Sequence, residues 1–144
     1  MGSLMWLVVC SKPEICNATG VVARHVDNPS ERHWQAVLQI IKYALETKDQ
    51  SLTFERGTNL DLSVYTDANY AEKADDRRSA SGVAVTVGNS TVSWSSSTQK
   101  IVTLSTTEAE YVALGDGVKE GPLVKAVLSF IVPSISEKSI KRCW

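Results

Sequence analysis

Residues 60–70 decide the fold, and they read LDLSVYTDANY. Apolar Leu60, Leu62 and Val64 alternate with more polar neighbours, which is the period-two pattern of a β-strand with one buried face. Near the end of this strand the acid Asp67 stands among residues that otherwise favour a sheet. We therefore predict a strand at the centre of the fold, with a carboxylate close to its end.

A second acidic segment follows at residues 105–111, which read STTEAEY and begin like a capped helix. A rotation of about 100° per residue aligns Glu108 with an apolar stripe and turns Glu110 toward solvent. The other members of this stripe are Leu104, Tyr111, Gly115 and Val118. A carboxylate on a packing face loses hydration free energy unless something compensates it. A metal ion shared with Asp67 would compensate Glu108, and so would an arginine partner or a position at the rim.

Residues 1–50 form a helical part of the chain, ahead of a β-rich part at residues 51–144. An apolar segment is followed by two amphipathic helical patterns, which predict an α-helical hairpin. The stripe of the second helix consists of Trp34, Val37, Leu38, Ile41 and Leu45. So small a unit cannot bury all of these residues by itself, so we expect an exposed apolar side that serves for docking.

The β-rich part continues with two further strands. Residues 81–87 carry three valines on one face, and residues 91–95 follow a tight turn at residues 88–90. With the strand at residues 60–70 they predict a three-stranded antiparallel meander, followed by a helix over one face. The fold class is therefore α+β. We expect a break or bend in that helix at Gly121-Pro122, because an interior proline removes a backbone donor.

Composition narrows the functional classes. The 144 residues carry a net charge of −1, so binding to nucleic acid requires a local patch rather than bulk attraction. Three cysteines form no even set of pairs and fit a reduced protein. The apolar run at residues 4–9 is too short to span a membrane. We expect an intracellular protein without a membrane partner, either cytoplasmic and associated with particles, or nuclear.

Four motifs occur in the order expected of one known family. They are YTDANY at residues 65–70, DDRRS at 75–79, VSWSS at 92–96 and LSTTEAEY at 104–111. Together they resemble the ribonuclease H domain of copia-type LTR retrotransposon Pol polyproteins. Shorter motifs in the first fifty residues resemble the end of the reverse transcriptase just upstream of that domain. They are GSLM at residues 2–5, KPEI at 12–15, ARH at 23–25 and a segment at 28–34 that begins with NP and ends with HW.

The resemblance implies hydrolysis of the RNA strand of RNA–DNA hybrids during reverse transcription, by two Mg²⁺ ions. Asp67 and Glu108 match two acidic ligands of the family. The family also has an acid at the end of a fourth strand and another near its last helix. Ser139-Ile140 resemble the start of that strand, but residues 141–144 read KRCW and contain no acid. We expect a C-terminally truncated, partial ribonuclease H-like fold that is catalytically incomplete and leaves one edge of its first strand free.

The resemblance also names partners, namely the RNA–DNA hybrid and the reverse-transcriptase domain of the same polyprotein. Candidates for phosphate contacts are Arg77, Arg78, Gln99 and Lys100, although a solvated surface explains them nearly as well. Asp75 and Asp76 could bind metal, but beside two arginines they are more typical of local ion pairs.

Three functions remain open. The first is an active ribonuclease H that obtains the missing acids from another chain. The second is a truncated and inactive part of a Pol polyprotein, and the third is a module that binds hybrid or reverse transcriptase without cutting. We favour the second, because two acids match the family and at least two are missing.

Overall fold

The structure, a computed structural model, describes residues 1–54, 59–71 and 77–143. The chain forms two compact units, Met1–Leu52 and Thr53–Trp144, each of which is described by itself. Asp75 and Asp76, considered above as ion-pair partners, lie outside the described residues. Within the described ranges, no helix combines the length and the apolar character needed to cross a membrane.

The first unit is helical. Its elements are α1 (Gly2–Cys10), a 3₁₀ turn (Pro13–Ile15), α2 (Cys16–Ala23) and α3 (Glu31–Glu46). The buried core consists of Leu4, Val8, Ile15, Val22 and Ile40. Four members of the predicted α3 stripe are exposed, namely Trp34, Leu38, Ile41 and Leu45. The predicted exposed apolar side is therefore confirmed, because α3 contributes only Ile40, with Ala36 and Val37 beside it, to this core.

Polar contacts define both ends of α3. At its start the Ser30 N–H donates to His33 Nδ1 over 3.1 Å, which closes a capping box. At its end the ammonium group of Lys12, a residue only 6% exposed, donates to the carbonyls of Thr47 at 2.5 Å and Gln50 at 3.1 Å. The last carbonyls of a helix have no intrahelical partner, so a buried lysine satisfies this end of α3.

The second unit is a four-stranded mixed sheet with one long helix. Its elements are β1 (Leu62–Asn69), β2 (Ala80–Val87), β3 (Ser90–Thr98), α4 (Thr106–Ile131), a 3₁₀ segment (Pro133–Glu137) and β4 (Ile140–Cys143). The strand order is β3-β2-β1-β4, in which β1, β2 and β3 pair antiparallel and β4 pairs parallel with β1. The predicted α+β class and the meander are confirmed.

Small residues form the face of α4 that packs on the sheet. The buried residues of α4 are Ala109, Ala113, Gly117 and Gly121, spaced four apart. A side chain at Gly117 would collide with Thr66, and a Cβ at Gly121 would lie 2.8 Å from the Cγ2 atom of Val64. The helix therefore lies very close to β1. The predicted packing stripe was wrong, because Leu104, Tyr111 and Val118 are 86%, 70% and 42% exposed.

The predicted break at Gly121-Pro122 was also wrong in its stronger form, because α4 runs without interruption from Thr106 to Ile131. Gly121 faces the sheet, whereas Pro122 is exposed. A proline removes one backbone donor, and α4 continues past it despite that loss.

The edge of β1 that we expected to be free is half covered. Residues Leu62 to Tyr65 pair with Ile140 to Cys143 of β4. In the described part of the chain, Thr66 to Asn69 pair with β2 alone. The carboxylate of Asp61 accepts hydrogen bonds from Lys138 at 3.3 Å and Lys141 at 3.2 Å. These contacts hold the segment around β4 against the start of β1.

Candidate metal site on the central strand

Asp67 lies near the end of the central strand and is exposed. Side chains alternate between the two faces of a strand, and Val64 and Thr66 contact α4. Asp67 therefore lies on the opposite face of the sheet, with Gly82 as its cross-strand partner. A side chain at Gly82 would meet nothing closer than 3.8 Å, so the surface beside Asp67 is open. Among the described residues, nothing forms a hydrogen bond or an ion pair with the carboxylate of Asp67.

Glu108 has a partner already. Its Oε2 atom accepts the N–H of Leu104 over 2.7 Å, and its own N–H donates to Ser105 Oγ over 3.1 Å. This reciprocal arrangement caps the N-terminus of α4, where a negative charge is also favoured by the helix dipole. The half-buried carboxylate of Glu108 is therefore compensated by backbone, and its burial no longer calls for a metal. Its assignment as a metal ligand stays a prediction.

Glu108 and Glu110, the two acids at the start of α4, lie on different sides of its packing face. Glu120, farther along the helix, identifies the side that faces β3. Glu120 precedes the inward-facing Gly121, and it accepts a hydrogen bond from Ser93 of β3 over 2.6 Å. Glu108 precedes Ala109 in the same way, so it lies on the β3 side of α4. Leu114, Val118 and Pro122 each come one position after a buried residue of α4. They line a small cavity with Ile140 and Arg142 of β4, so this side of the helix faces β4. Glu110 follows Ala109, so it lies on this β4 side.

The first turns of α4 lie level with the end of β1, just beyond Asp67. Gly121 contacts Val64 and Gly117 contacts Thr66, so the helix runs antiparallel to the strand. Four helical residues rise about 6 Å and two strand residues about 6.6 Å, so Ala113 continues to the level of Ala68 and Ala109 lies one step beyond. Glu110 therefore lies at the level of the last residues of β1.

Sequence reasoning placed Glu110 away from the packing face because it followed the large apolar residues of α4. The packing face could have been identified from the alanine and glycine residues at positions 109, 113, 117 and 121. They recur every four residues, as residues on one face of a helix do. On that face Glu110 is a flanking residue on the β4 side. The side chain of Glu110 is exposed, as predicted.

The four candidate phosphate contacts have different environments. Arg77 and Lys100 are exposed, and Arg78 is half-buried. Gln99 is only 3% exposed, and its side-chain amide donates to groups inside the second unit. Gln99 therefore has no place in a phosphate-binding surface.

The donor set fits a weakly held magnesium ion. No group of three or more His, Cys, Asp or Glu side chains converges anywhere in residues 1–54, 59–71 and 77–143. Mg²⁺ retains several waters and is commonly bound by one or two carboxylates plus substrate phosphates. Asp67 and Glu110 are exposed carboxylates with no partner among the described residues, and two such ligands suit that mode of binding without forming a closed cage.

Comparison with known proteins identifies relatives of this chain. No family model matches the chain, and no solved structure does. The chain is 44% identical over 120 residues to the retrovirus-related Pol polyprotein from transposon TNT 1-94 of Nicotiana tabacum, and this alignment covers 83% of the chain and 9% of the polyprotein. It is 30% identical over 143 residues to the corresponding polyprotein from transposon RE2 of Arabidopsis thaliana, which covers 99% of the chain and 10% of that polyprotein.

A shorter relative is covered over most of its length. The chain is 36% identical over 120 residues to the secreted RxLR effector protein 161 of Plasmopara viticola, and the alignment covers 83% of the chain and 84% of that protein. The chain thus spans only a small part of the polyproteins and most of this shorter protein. These similarities extend across both of its units, and the chain belongs to the family of retrovirus-related Pol polyprotein sequences of transposons.

Proposed function

We propose that the second unit is the first part of the ribonuclease H region of a transposon Pol polyprotein, and that its site is incomplete in this chain. The parent activity is hydrolysis of the RNA strand of an RNA–DNA hybrid. The observation that carries the proposal is the carboxylate of Asp67, exposed near the end of the central strand and without a partner among the described residues. A carboxylate so placed is free to bind a cation.

Asp67 and Glu110 would hold the ion at the edge of β1 that, among the described residues, β4 leaves uncovered from Thr66 to Asn69, because side chains on the two faces of a sheet can meet around an unpaired edge. A bound Mg²⁺ supplies positive charge that activates water and stabilises a leaving oxygen. Asp67 contributes a charge from a rigid strand, and Glu110 contributes one from the first turns of α4. Glu108 is the competing ligand, because a small rotation of its side chain would free it from the backbone of Leu104. Arg77 and Lys100 are exposed cations that suit contacts to hybrid phosphates.

Two carboxylates are too few for efficient cleavage. Two-metal hydrolysis requires two ions about 4 Å apart, each with its own set of ligands. Within the described residues no third acid joins Asp67 and Glu110. We therefore expect this chain to bind Mg²⁺ weakly and to cut RNA in a hybrid at no useful rate.

A metal titration compares three variants of the acids. Mg²⁺ and Mn²⁺ are titrated against wild type, Asp67→Asn, Glu110→Gln and Glu108→Gln by calorimetry. Weak binding that disappears in the first two variants and persists in Glu108→Gln supports the proposal. Loss in Glu108→Gln with retention in Glu110→Gln would restore the sequence prediction and reject the assignment of Glu110. Tight and stoichiometric Mg²⁺ binding by wild type would contradict an incomplete site.

A second experiment tests the nucleic acid. A labelled RNA–DNA hybrid is incubated with the chain with and without Mg²⁺, and both binding and cleavage are followed. We expect binding that weakens with salt and with Arg77→Gln or Lys100→Gln, and no cleavage. Mg²⁺-dependent cleavage abolished by Asp67→Asn would show a complete site. Hybrid affinity that depends on neither Mg²⁺ nor Asp67 would favour a binding module.

A further inference from the structure

We propose that Gln99 is a positioning residue that ties the first turn of α4 to β2, the strand that pairs with β1 beside Asp67. The inference deepens the proposed function, because its consequence for metal binding depends on the Asp67–Glu110 site. Its structural basis is a cluster of four buried polar residues, which we call the polar clamp. The clamp consists of Ser79, Ser81, Gln99 and Thr103, which are 0%, 2%, 3% and 2% exposed.

The side-chain amide of Gln99 joins α4 directly to β2. Its Nε2 atom donates to Ser81 Oγ over 3.0 Å and to the carbonyl of Ala109 over 2.9 Å. Ala109 precedes Glu110 in the chain, and Ser81 is the cross-strand partner of Ala68, which follows Asp67. A single NH₂ group therefore joins α4, which carries Glu110, to β2, the strand that pairs with β1 beside Asp67.

The other contacts of the polar clamp hold the segments that follow β1, precede β2 and precede α4. The main-chain N–H of Gln99 donates to the carbonyl of Ser79 over 2.9 Å. The hydroxyl of Ser79 accepts the N–H of Ala71, just after β1, over 3.1 Å and lies 2.9 Å from the hydroxyl of Thr103, just before α4. The clamp thus contacts the end of β1, the start of β2 and the segment that leads into α4.

Burial of this glutamine is unfavourable in one respect. The Oε1 atom of Gln99 is buried and accepts no hydrogen bond from the residues that the structure describes. An apolar side chain of the same length would avoid that unsatisfied acceptor, but it would also lose the two directed N–H bonds. Buried hydrogen bonds have strict geometry, so they fix a separation between elements that apolar contacts fix less closely. This is the property that a two-element metal site requires.

The test uses Gln99→Met, which keeps the length of the side chain and removes both donors. Mn²⁺ binding to the full chain is measured from the electron paramagnetic resonance signal of the free ion. Loss of the residues that orient metal ligands commonly weakens affinity 10- to 100-fold, and we expect a loss of about 10-fold or more here. Ser81→Ala, which removes one of the two acceptors, should give a smaller loss.

A control separates positioning from general stability. Val85 of β2 is completely buried in the apolar core of the same unit, and its cross-strand partner on β1 is Val64, three residues before Asp67. Val85→Ala should lower the melting temperature without weakening Mn²⁺ binding. Equal affinities for wild type and Gln99→Met, or a loss in Val85→Ala as large as in Gln99→Met, would overturn the positioning role.

Hydrogen exchange of the metal-free protein tests the positioning role of Gln99 separately from the Asp67–Glu110 metal site. In Gln99→Met the amides of the first two turns of α4 should exchange faster than in Val85→Ala, while the amides at the end of α4 should not differ. If wild type binds no more Mn²⁺ than Asp67→Asn, the proposed metal site fails and the exchange experiment alone decides the clamp. Unchanged exchange at the start of α4 would then overturn it.

Discussion

A Cβ atom placed on Gly121 would lie 2.8 Å from the Cγ2 atom of Val64, closer than non-bonded carbon atoms approach one another. The separation between α4 and the central strand is therefore set by the missing side chain at this position. Gly117 makes a similarly close contact with Thr66, so the two glycines set the height of this part of α4 above the sheet.

Gly121→Ala should destabilise the second unit. Overpacking a close contact typically lowers the free energy of unfolding by about 1–3 kcal/mol. Gly115, in the same helix, has nothing within 4 Å of its Cβ position, so Gly115→Ala should raise stability by about 0.5–1 kcal/mol through helix propensity. Urea unfolding of both variants checks the prediction. Stabilisation by both substitutions would show that α4 does not pack as closely as described.

Glu108 should act chiefly as a helix cap. Glu108→Ala removes the acceptor for the N–H of Leu104, and loss of a cap lowers stability by about 1 kcal/mol. Glu108→Gln retains an acceptor and loses only the charge–dipole interaction, about 0.3–1 kcal/mol. Thermal melts of the two variants, with the exposed Glu110→Gln as the neutral control, measure the difference. A larger loss in Glu110→Gln than in Glu108→Ala would contradict the capping role.

Asp61 should make the second unit sensitive to acid. Hydrogen bonds from Lys141 and then Lys138 lower the pKa of Asp61 below its ordinary value of 3.8. A lowered pKa in the folded state means that the ionised carboxylate stabilises the fold above pH 3.8, and that this contribution disappears as the pH falls from there through the lowered value. The difference in urea midpoint between wild type and Asp61→Asn should therefore shrink between about pH 7 and about pH 2. A constant difference across this range would show that Asp61 is not ionised in its contacts with the lysines.

Lys12 should be the most sensitive polar residue of the first unit. Lys12→Met keeps the apolar stem but removes the buried charged donor to the carbonyls of Thr47 and Gln50, and loss of hydrogen bonds to a charged group costs about 1.5–3 kcal/mol. The exposed Lys42, which forms a surface ion pair with Glu46, is the control, and Lys42→Met should change stability by no more than about 0.5 kcal/mol. Circular dichroism melts compare them, and similar effects would contradict the role of Lys12 at the end of α3.

The local pattern of the sequence determined the elements and the class of the fold. Alternation in residues 60–70 and the turn at residues 88–90 were enough to predict β1, β2 and β3 as a meander, because a half-buried strand has a period of two whatever packs against it. The same local reasoning found an apolar side of the helical hairpin that stays exposed, since so short a unit cannot cover it. It also marked Asp67, an acid inside a strand pattern.

Only the tertiary structure decided which side of α4 packs. The helix carries two stripes, one of large apolar residues and one of alanine and glycine, and hydrophobicity favours the first. The second is the buried one, because small residues let the helix backbone approach β1 more closely than large ones do. With the small residues facing the sheet, Glu108 caps the N-terminus of α4 and Glu110 lies on the β4 side of the helix. It also places Gln99 inside, since a polar residue distant in sequence becomes buried only when strand and helix meet around it.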